Sequence, residues 1–172
     1  MHPPQLKIAR WLTNGAWLAL LALLTLYFAN RERDQINPNQ QVASTLANGY
    51  TEIELKANHH HHYIASGTIN DQPVTFMIDT GASDVAIPAK LGEKLGLVAG
   101  ERGTSTTANG QVIVQRTNIN RLQLGAIVLE NIKGSLNPGM DANDEILLGM
   151  SFLKHLDFSQ KDNVLTLRIK NK

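Results

Sequence analysis

One acidic residue, Asp79, stands where a carboxylate could do chemistry. It follows the apolar run of residues 74–78 and precedes Thr80, Gly81 and Ala82. Carboxylates usually stay on solvated surface, so an acid directly after an apolar run is unusual. Glycine lets the backbone approach a neighbour closely, and threonine offers a hydroxyl that can brace a turn. A carboxylate held this way is half of a device in which two carboxyl groups share a proton and activate water against an amide.

Length and composition narrow the class of protein. The 172 residues are 42% hydrophobic and carry a formal charge of +1. This apolar content is enough for the core of one domain, and the charge does not predict a nucleic-acid partner. The sequence has no cysteine, which excludes disulfides, zinc–thiolate sites and a cysteine nucleophile.

The N-terminal part of the chain predicts a membrane anchor. Residues 11–29 are mostly Leu and Ala, and a membrane-spanning helix needs about 20 mainly apolar residues. Basic residues flank this stretch on both sides, and only those on its C-terminal side are offset by acids, which favours residues 1–10 in the cytoplasm. A cleaved signal peptide is the alternative, although Tyr27 is bulky where a cleavage site after Ala29 needs a small residue.

The rest of the chain predicts a linker followed by a β domain. Residues 30–48 are rich in Asn, Gln and charge, which predicts a flexible linker. From residue 49 the sequence shows many short alternating or apolar runs separated by turn signals, and Asn109-Gly110 is the strongest hairpin signal among them. Two short helical segments interrupt the pattern. We therefore expect an all-β, barrel-like domain over residues 49–172.

Three segments in order resemble a known family. Asp79-Thr80-Gly81-Ala82 resembles the active-site sequence of the aspartic proteases, most closely the retropepsin-like branch. Asn109-Gly110 falls where that family carries its flap hairpin, and Leu147-Leu148-Gly149 is similar to the segment that braces the active-site loop. The resemblance extends over residues 63–169 and is greatest to the membrane-anchored bacterial members. An isolated Asp-Thr-Gly occurs often by chance, but these segments in order across one domain are specific.

The resemblance implies a fold, an activity and an assembly. The expected fold is a retropepsin-like closed barrel, equivalent to half of a pepsin-like protein, with one or two short helices after a transmembrane helix. The expected activity is hydrolysis of peptide bonds by Asp79, without a metal or another cofactor. Because the sequence holds no second Asp-Thr-Gly or Asp-Ser-Gly, the second carboxylate must be Asp79 of another copy in a homodimer.

The resemblance also assigns supporting roles around Asp79. Thr80 is similar to the residue whose hydroxyl links the two active-site loops across the dimer, and Gly81 to the one that leaves room for the substrate backbone. Ala82 replaces a serine that is frequent in the pepsin branch. The expected substrate cleft and bracing segment contain these residues: Ser83, Asp84, Ala108, Asn109 and Gly110 for the cleft, and Leu147, Leu148 and Gly149 for the brace.

Four consecutive histidines, residues 59–62, invite a metal site. If these residues lie on a strand, neighbours point to opposite faces and cannot converge on one ion. We therefore predict no metal site here.

The resemblance further implies a location and partners, and one alternative function stays open. The resemblance to membrane-anchored bacterial proteins implies a single-pass inner-membrane protein with its C-terminal domain in the periplasm. The implied partners are a second copy, a peptide or protein substrate, and the membrane through residues 11–29. The alternative function is a catalytically silent module that keeps the fold and binds extended peptides by strand addition.

Overall fold

The computed structural model describes residues 4–107 and 110–171. These residues form two compact units, one ending at Ile36 and the other beginning at Asn37.

The first unit is one long helix, α1 (Pro4–Ile36). Its portion Trp11–Ile36 is apolar and long enough to cross a membrane, and the side chains of this portion are exposed. Exposure distinguishes it from the core helix of a soluble protein, whereas a signal sequence near an N-terminus has the same length and composition. The helix extends beyond the predicted span of residues 11–29 because charged residues tolerate helical backbone well.

Residues 30–48 have more regular structure than the flexible linker predicted for them. Helix α1 occupies the first part, and strand β1 (Ser44–Ala47) pairs with strand β2 (Tyr50–Lys56). Asn39 is buried, and its amide group hydrogen-bonds to the backbone of Lys56 and Ile64. A buried amide with these backbone partners fixes the chain around Asn39 within the β domain, a role that polar composition does not reveal.

The smaller sheet has four strands in the order β1, β2, β11 (Val164–Lys170) and β10 (Asp157–Lys161). The alternation predicted for β2 is confirmed, since Ile53 and Leu55 are buried. Strand β10 has no counterpart in the sequence prediction, because all its residues are exposed and show no apolar alternation.

The larger sheet has seven strands and curls upon itself. Its order is β3, β4, β9, β5, β8, β7, β6, and an additional pairing joins β3 to β7. This closure confirms the predicted all-β, barrel-like fold. The bounds are β3 (Ile64–Ile69), β4 (Gln72–Ile78), β5 (Val85–Pro88), β6 (Arg102–Thr107), β7 (Gly110–Leu124), β8 (Ile127–Asn137) and β9 (Glu145–Leu148).

Three short helical segments complete the domain: α2 (Ala89–Lys94), a 3₁₀ turn (Pro138–Met140) and α3 (Met150–Leu153). Strand β8 continues through Gly134 to Asn137. Gly134 serves strand packing rather than a turn, since a Cβ there would lie 3.0 Å from the carbonyl oxygen of Val85. Strand β7 is long and pairs with both β6 and β8.

Candidate active site

Asp79 follows the last residue of strand β4, which lies beside β9. The two strands are parallel, with Ile78 opposite Leu148, and the Asp79 backbone N–H donates to the carbonyl of Leu148 at 3.2 Å. Phe76 and Ile146 lie two residues before Ile78 and Leu148 on their strands. Both are fully buried and anchor the two strands in the core. Asp79 itself is half-buried. The apolar run before it therefore holds the carboxylate on a rigid element at the edge of the core.

The turn after Asp79 fixes one oxygen of its carboxylate. The N–H of Gly81 donates to Oδ1 of Asp79 at 2.8 Å, and the N–H of Ala82 donates to its carbonyl at 3.3 Å. A Cβ on residue 81 would lie 3.1 Å from the same Oδ1. Glycine, which has no Cβ, lets the backbone approach the carboxylate without this tight contact. The Asp-Thr-Gly sequence thus forms a local turn in which the carboxylate is oriented by its own backbone.

Gly149 joins the turn to the segment predicted to brace it. A Cβ at this position would lie 2.2 Å from the carbonyl oxygen of Asp84 and 2.5 Å from that of Ala82. Helix α3 begins here, and its first N–H groups donate to the loop: Met150 to Ala82 at 2.8 Å and Ser151 to Ser83 at 2.9 Å. The free N–H groups of a helix start are therefore satisfied by the carbonyls of the loop.

Leu147 and Leu148 extend this support into the sheet. Leu147 lies opposite Met77 on one side and Ala86 on the other, and Leu148 is fully buried. The predicted bracing segment thus contacts the strands on both sides of the Asp79 turn.

Ser151 is a buried residue for which the sequence predicts no role. Its hydroxyl donates to the carbonyl of Lys133 at 2.7 Å and accepts from the N–H of Val85 at 3.0 Å. It therefore links α3 to the start of β5, where the active-site loop ends, and to β8. The signal in the sequence is a lone serine inside the apolar Met-Ser-Phe-Leu run.

Replacement of Ser151 by Ala is expected to destabilise the domain by about 1–3 kcal/mol, because one N–H and one carbonyl lose their buried partner. The measurement is the free energy of unfolding in denaturant. Ser105→Ala, on half-exposed strand β6, is the matched control. Equal unfolding free energies for the two variants would contradict the assigned link.

The predicted cleft residues differ in their exposure and in whether the structure describes them. Ser83 is exposed and Asp84 half-buried, both within the loop supported by α3. Gly110 begins β7 in a left-handed conformation, φ 107°, and pairs with Thr107 in the hairpin predicted to be the flap. Ala108 and Asn109 lie outside the described residues. Thr80 is exposed beside Asp79.

A cavity of about 330 Å³ is lined in part by Asp79 and Thr80. One wall comes from the core and the other from the β10–β11 hairpin. Its remaining lining residues are Tyr63, Ile78, Leu153, Phe158, Ser159, Gln160, Leu165 and Leu167. The sequence does not predict this cavity, because β10 is not recognisable as a strand.

Within residues 4–107 and 110–171, no group of three or more His, Cys, Asp or Glu side chains is arranged to hold a metal ion. The described contacts of the candidate site involve the Asp79 carboxylate, its turn and backbone groups of the loop and of α3.

Comparison with known proteins assigns the family. The family described as "gag-polyprotein putative aspartyl protease" matches residues 65–155, which include the Asp79 turn, the flap and the brace. The chain is a member of the retropepsin-like aspartic protease family. A solved retropepsin-like aspartic protease from Rickettsia conorii is 28% identical, with a TM-score of 0.59, over 75% of this chain and 96% of that one.

Two curated bacterial proteins resemble this retropepsin-like chain in sequence. An uncharacterized protein in the cobV 5'region of Sinorhizobium sp is 29% identical over 165 residues, which are 90% of this chain and 68% of the relative. The uncharacterized protein RP867 of Rickettsia prowazekii (strain Madrid E) is 34% identical over 96 residues, 54% of this chain and 40% of the relative. Neither name states an activity.

Proposed function

We propose that the protein is a membrane-tethered aspartic endopeptidase in which two Asp79 carboxylates of a homodimer activate water. The observation that carries this proposal is the Asp79 turn: its carboxylate ends a core strand, is oriented by Gly81 N–H at 2.8 Å and is braced by the Gly149 segment. A preorganised carboxylate of this kind is what general acid–base catalysis requires.

The proposed reaction divides the work between the two carboxylates. The ionised Asp79 takes a proton from water, whose oxygen attacks the carbonyl carbon of the scissile peptide bond. The protonated Asp79 of the other copy donates its proton to the carbonyl oxygen, and the resulting tetrahedral intermediate collapses when the leaving nitrogen is protonated. Two carboxylates a few ångströms apart cannot both be ionised, so the pair holds the required proton. No metal or cofactor enters this scheme.

Strand β10 is the surface on which we place the second copy. It forms an edge of the smaller sheet, all five of its residues are exposed, and it lines the cavity beside Asp79 and Thr80. An exposed edge strand pairs readily with another strand. Pairing at this edge brings the second copy to the side of the molecule where the missing carboxylate is needed, with Thr80 as the contact between the two loops.

The proposed substrate is an extended peptide held under the flap hairpin by strand-like hydrogen bonds. The described part of the flap, in β6 and at the start of β7, carries mostly Thr, Ser and Gln side chains. Ser83 and Asp84 would line the ends of the cleft, with Gly81 leaving room for the substrate backbone. A polar lid of this kind favours contacts with the peptide backbone over deep apolar pockets.

The proposed location is the inner membrane, with helix α1 as a single-pass anchor and the β domain in the periplasm. Support comes from the length and exposure of the apolar portion Trp11–Ile36 and from the offset of its C-terminal basic residues by acids. Fusion of a periplasm-dependent reporter after Lys172 should give an active reporter. Activity only of a cytoplasm-dependent reporter would reverse this topology.

Cleavage is tested with the full chain in detergent micelles and a diverse peptide library, from about pH 3 to about pH 8. New peptide termini, detected by mass spectrometry, are expected. Binding of peptides without cleavage at any pH would instead support the silent peptide-binding module.

Mixing two forms of the chain tests the shared carboxylate pair. If parent and Asp79→Asn chains are co-expressed equally and pair at random, only about one quarter of the dimers keep both carboxylates. Activity per parent chain should therefore fall to about half that of the pure parent, because half of the parent chains sit in mixed dimers. Undiminished activity per parent chain would show that one Asp79 suffices and would refute the homodimeric site.

A further inference from the structure

The four histidines at residues 59–62 lie in a turn, not on a strand. The turn connects β2 to β3, and His61 adopts a left-handed conformation, φ 62°. The premise that neighbouring histidines point to opposite faces of a strand is therefore wrong. In a turn, side chains close in sequence can be presented to the same side.

The backbone of this turn is held by a buried residue at its base. Asn58 is 8% exposed, and its Oδ1 accepts hydrogen bonds from the N–H groups of His60, at 2.9 Å, and His62, at 3.0 Å. Two further hydrogen bonds close the turn: Asn58 N–H to the carbonyl of His62 at 2.8 Å, and His61 N–H to the carbonyl of Asn58 at 3.0 Å. All four imidazoles are exposed on this fixed backbone.

The imidazole rings are close enough to share an ion. The ring centroids of His59 and His60 are 3.8 Å apart, and those of His60 and His62 are 6.3 Å apart. Two imidazoles bound to one ion, with metal–nitrogen bonds near 2.0–2.1 Å, place their centroids about 5 Å apart. This separation lies between the two observed values, so rotations of exposed side chains reach it without a change in the backbone.

We propose that the Asn58–His62 turn is a binding site for a divalent transition-metal ion of the zinc, nickel and copper class. At least two imidazoles, with His60 as the central ligand, would bind the ion, and water would complete its coordination. A donor set made of imidazole nitrogens alone suits these ions and not Mg²⁺ or Ca²⁺, which require oxygen ligands. The proposal does not depend on the proposed protease activity.

The test is calorimetric titration of the full chain, purified in detergent through a tag without histidines, with ZnCl₂ and with MgCl₂. Zn²⁺ is expected to bind at one site per chain at neutral pH, and Mg²⁺ is not. The double variant His60→Asn/His62→Asn should bind Zn²⁺ at least about tenfold more weakly. His155→Asn, which removes an exposed histidine elsewhere in the domain, is the matched control and should bind as the parent does.

One further measurement separates a built site from a loose run of histidines. Asn58→Ala keeps every imidazole but removes the hydrogen bonds that hold the turn, and should weaken Zn²⁺ binding by about tenfold. Unchanged affinity in the His60/His62 double variant, or equal loss in His155→Asn, would overturn the proposal. Full affinity in Asn58→Ala would overturn the preorganised turn.

Discussion

Replacement of Asp79 by Asn is expected to reduce peptide cleavage by about 100- to 10,000-fold, because the amide can neither take a proton from water nor donate one as a carboxylic acid does. The fold should survive. The Asn side chain keeps an oxygen that can accept the hydrogen bond from Gly81 N–H, which orients Oδ1 of the aspartate at 2.8 Å. The measurement is kcat/KM on a peptide selected from the library, together with the unfolding curve of the variant.

Asp144→Asn is the control for this change. It makes the same chemical substitution on an exposed residue in the loop before β9, and should leave cleavage unaltered. Cleavage by Asp79→Asn at the parent rate would remove Asp79 from the chemistry. Loss of cleavage together with loss of folding would instead assign Asp79 a structural role.

Replacement of Gly149 by Ala is expected to destabilise the domain by about 3 kcal/mol or more, as overpacking against rigid backbone does. The added Cβ would lie 2.2 Å from the Asp84 carbonyl oxygen and 2.5 Å from that of Ala82. The backbone conformation is not the obstacle, because φ is −90° and any residue adopts it. Relief of the clash requires movement of the active-site loop, so cleavage should fall as well.

Gly103→Ala is the matched control, since its Cβ would make an ordinary contact of 3.5 Å with the Arg116 side chain. Its free energy of unfolding should stay within about 1 kcal/mol of the parent, as for most substitutions without a clash. Equal stability of the two variants in denaturant would contradict the tight contact between Gly149 and the loop.

The local elements of the domain could be predicted because their causes lie within a few residues. Asn70-Asp71 forms a turn with φ of 49° and 65°, conformations that Asn and Asp adopt more readily than most residues. The alternation of β2 follows from one buried face, and the Asp79 turn follows from a glycine two residues after the acid. Neighbouring residues determine each of these features.

Other parts could not be predicted because their partners are distant in sequence. Strand β10 is polar throughout and becomes a strand only because β11 pairs with it. Asn39 belongs to a polar segment that reads as a linker, yet its amide satisfies the backbone of Lys56 and Ile64. The histidine turn depends on Asn58, whose Oδ1 accepts hydrogen bonds from two backbone N–H groups of the turn. Residue type alone does not reveal these hydrogen bonds.

The sequence by itself determined that Asp79 ends an apolar strand in a tight turn, that the domain is all-β and resembles the retropepsin-like proteases, and that the chain holds one such acid. These conclusions rest on residue type and spacing, which the sequence contains. The tertiary structure decided what supports the acid: the contact of Gly149 with Ala82 and Asp84, the link through Ser151, and the cavity beside β10. Those features arise where segments far apart in the chain pack together, and their distances exist only in the folded protein.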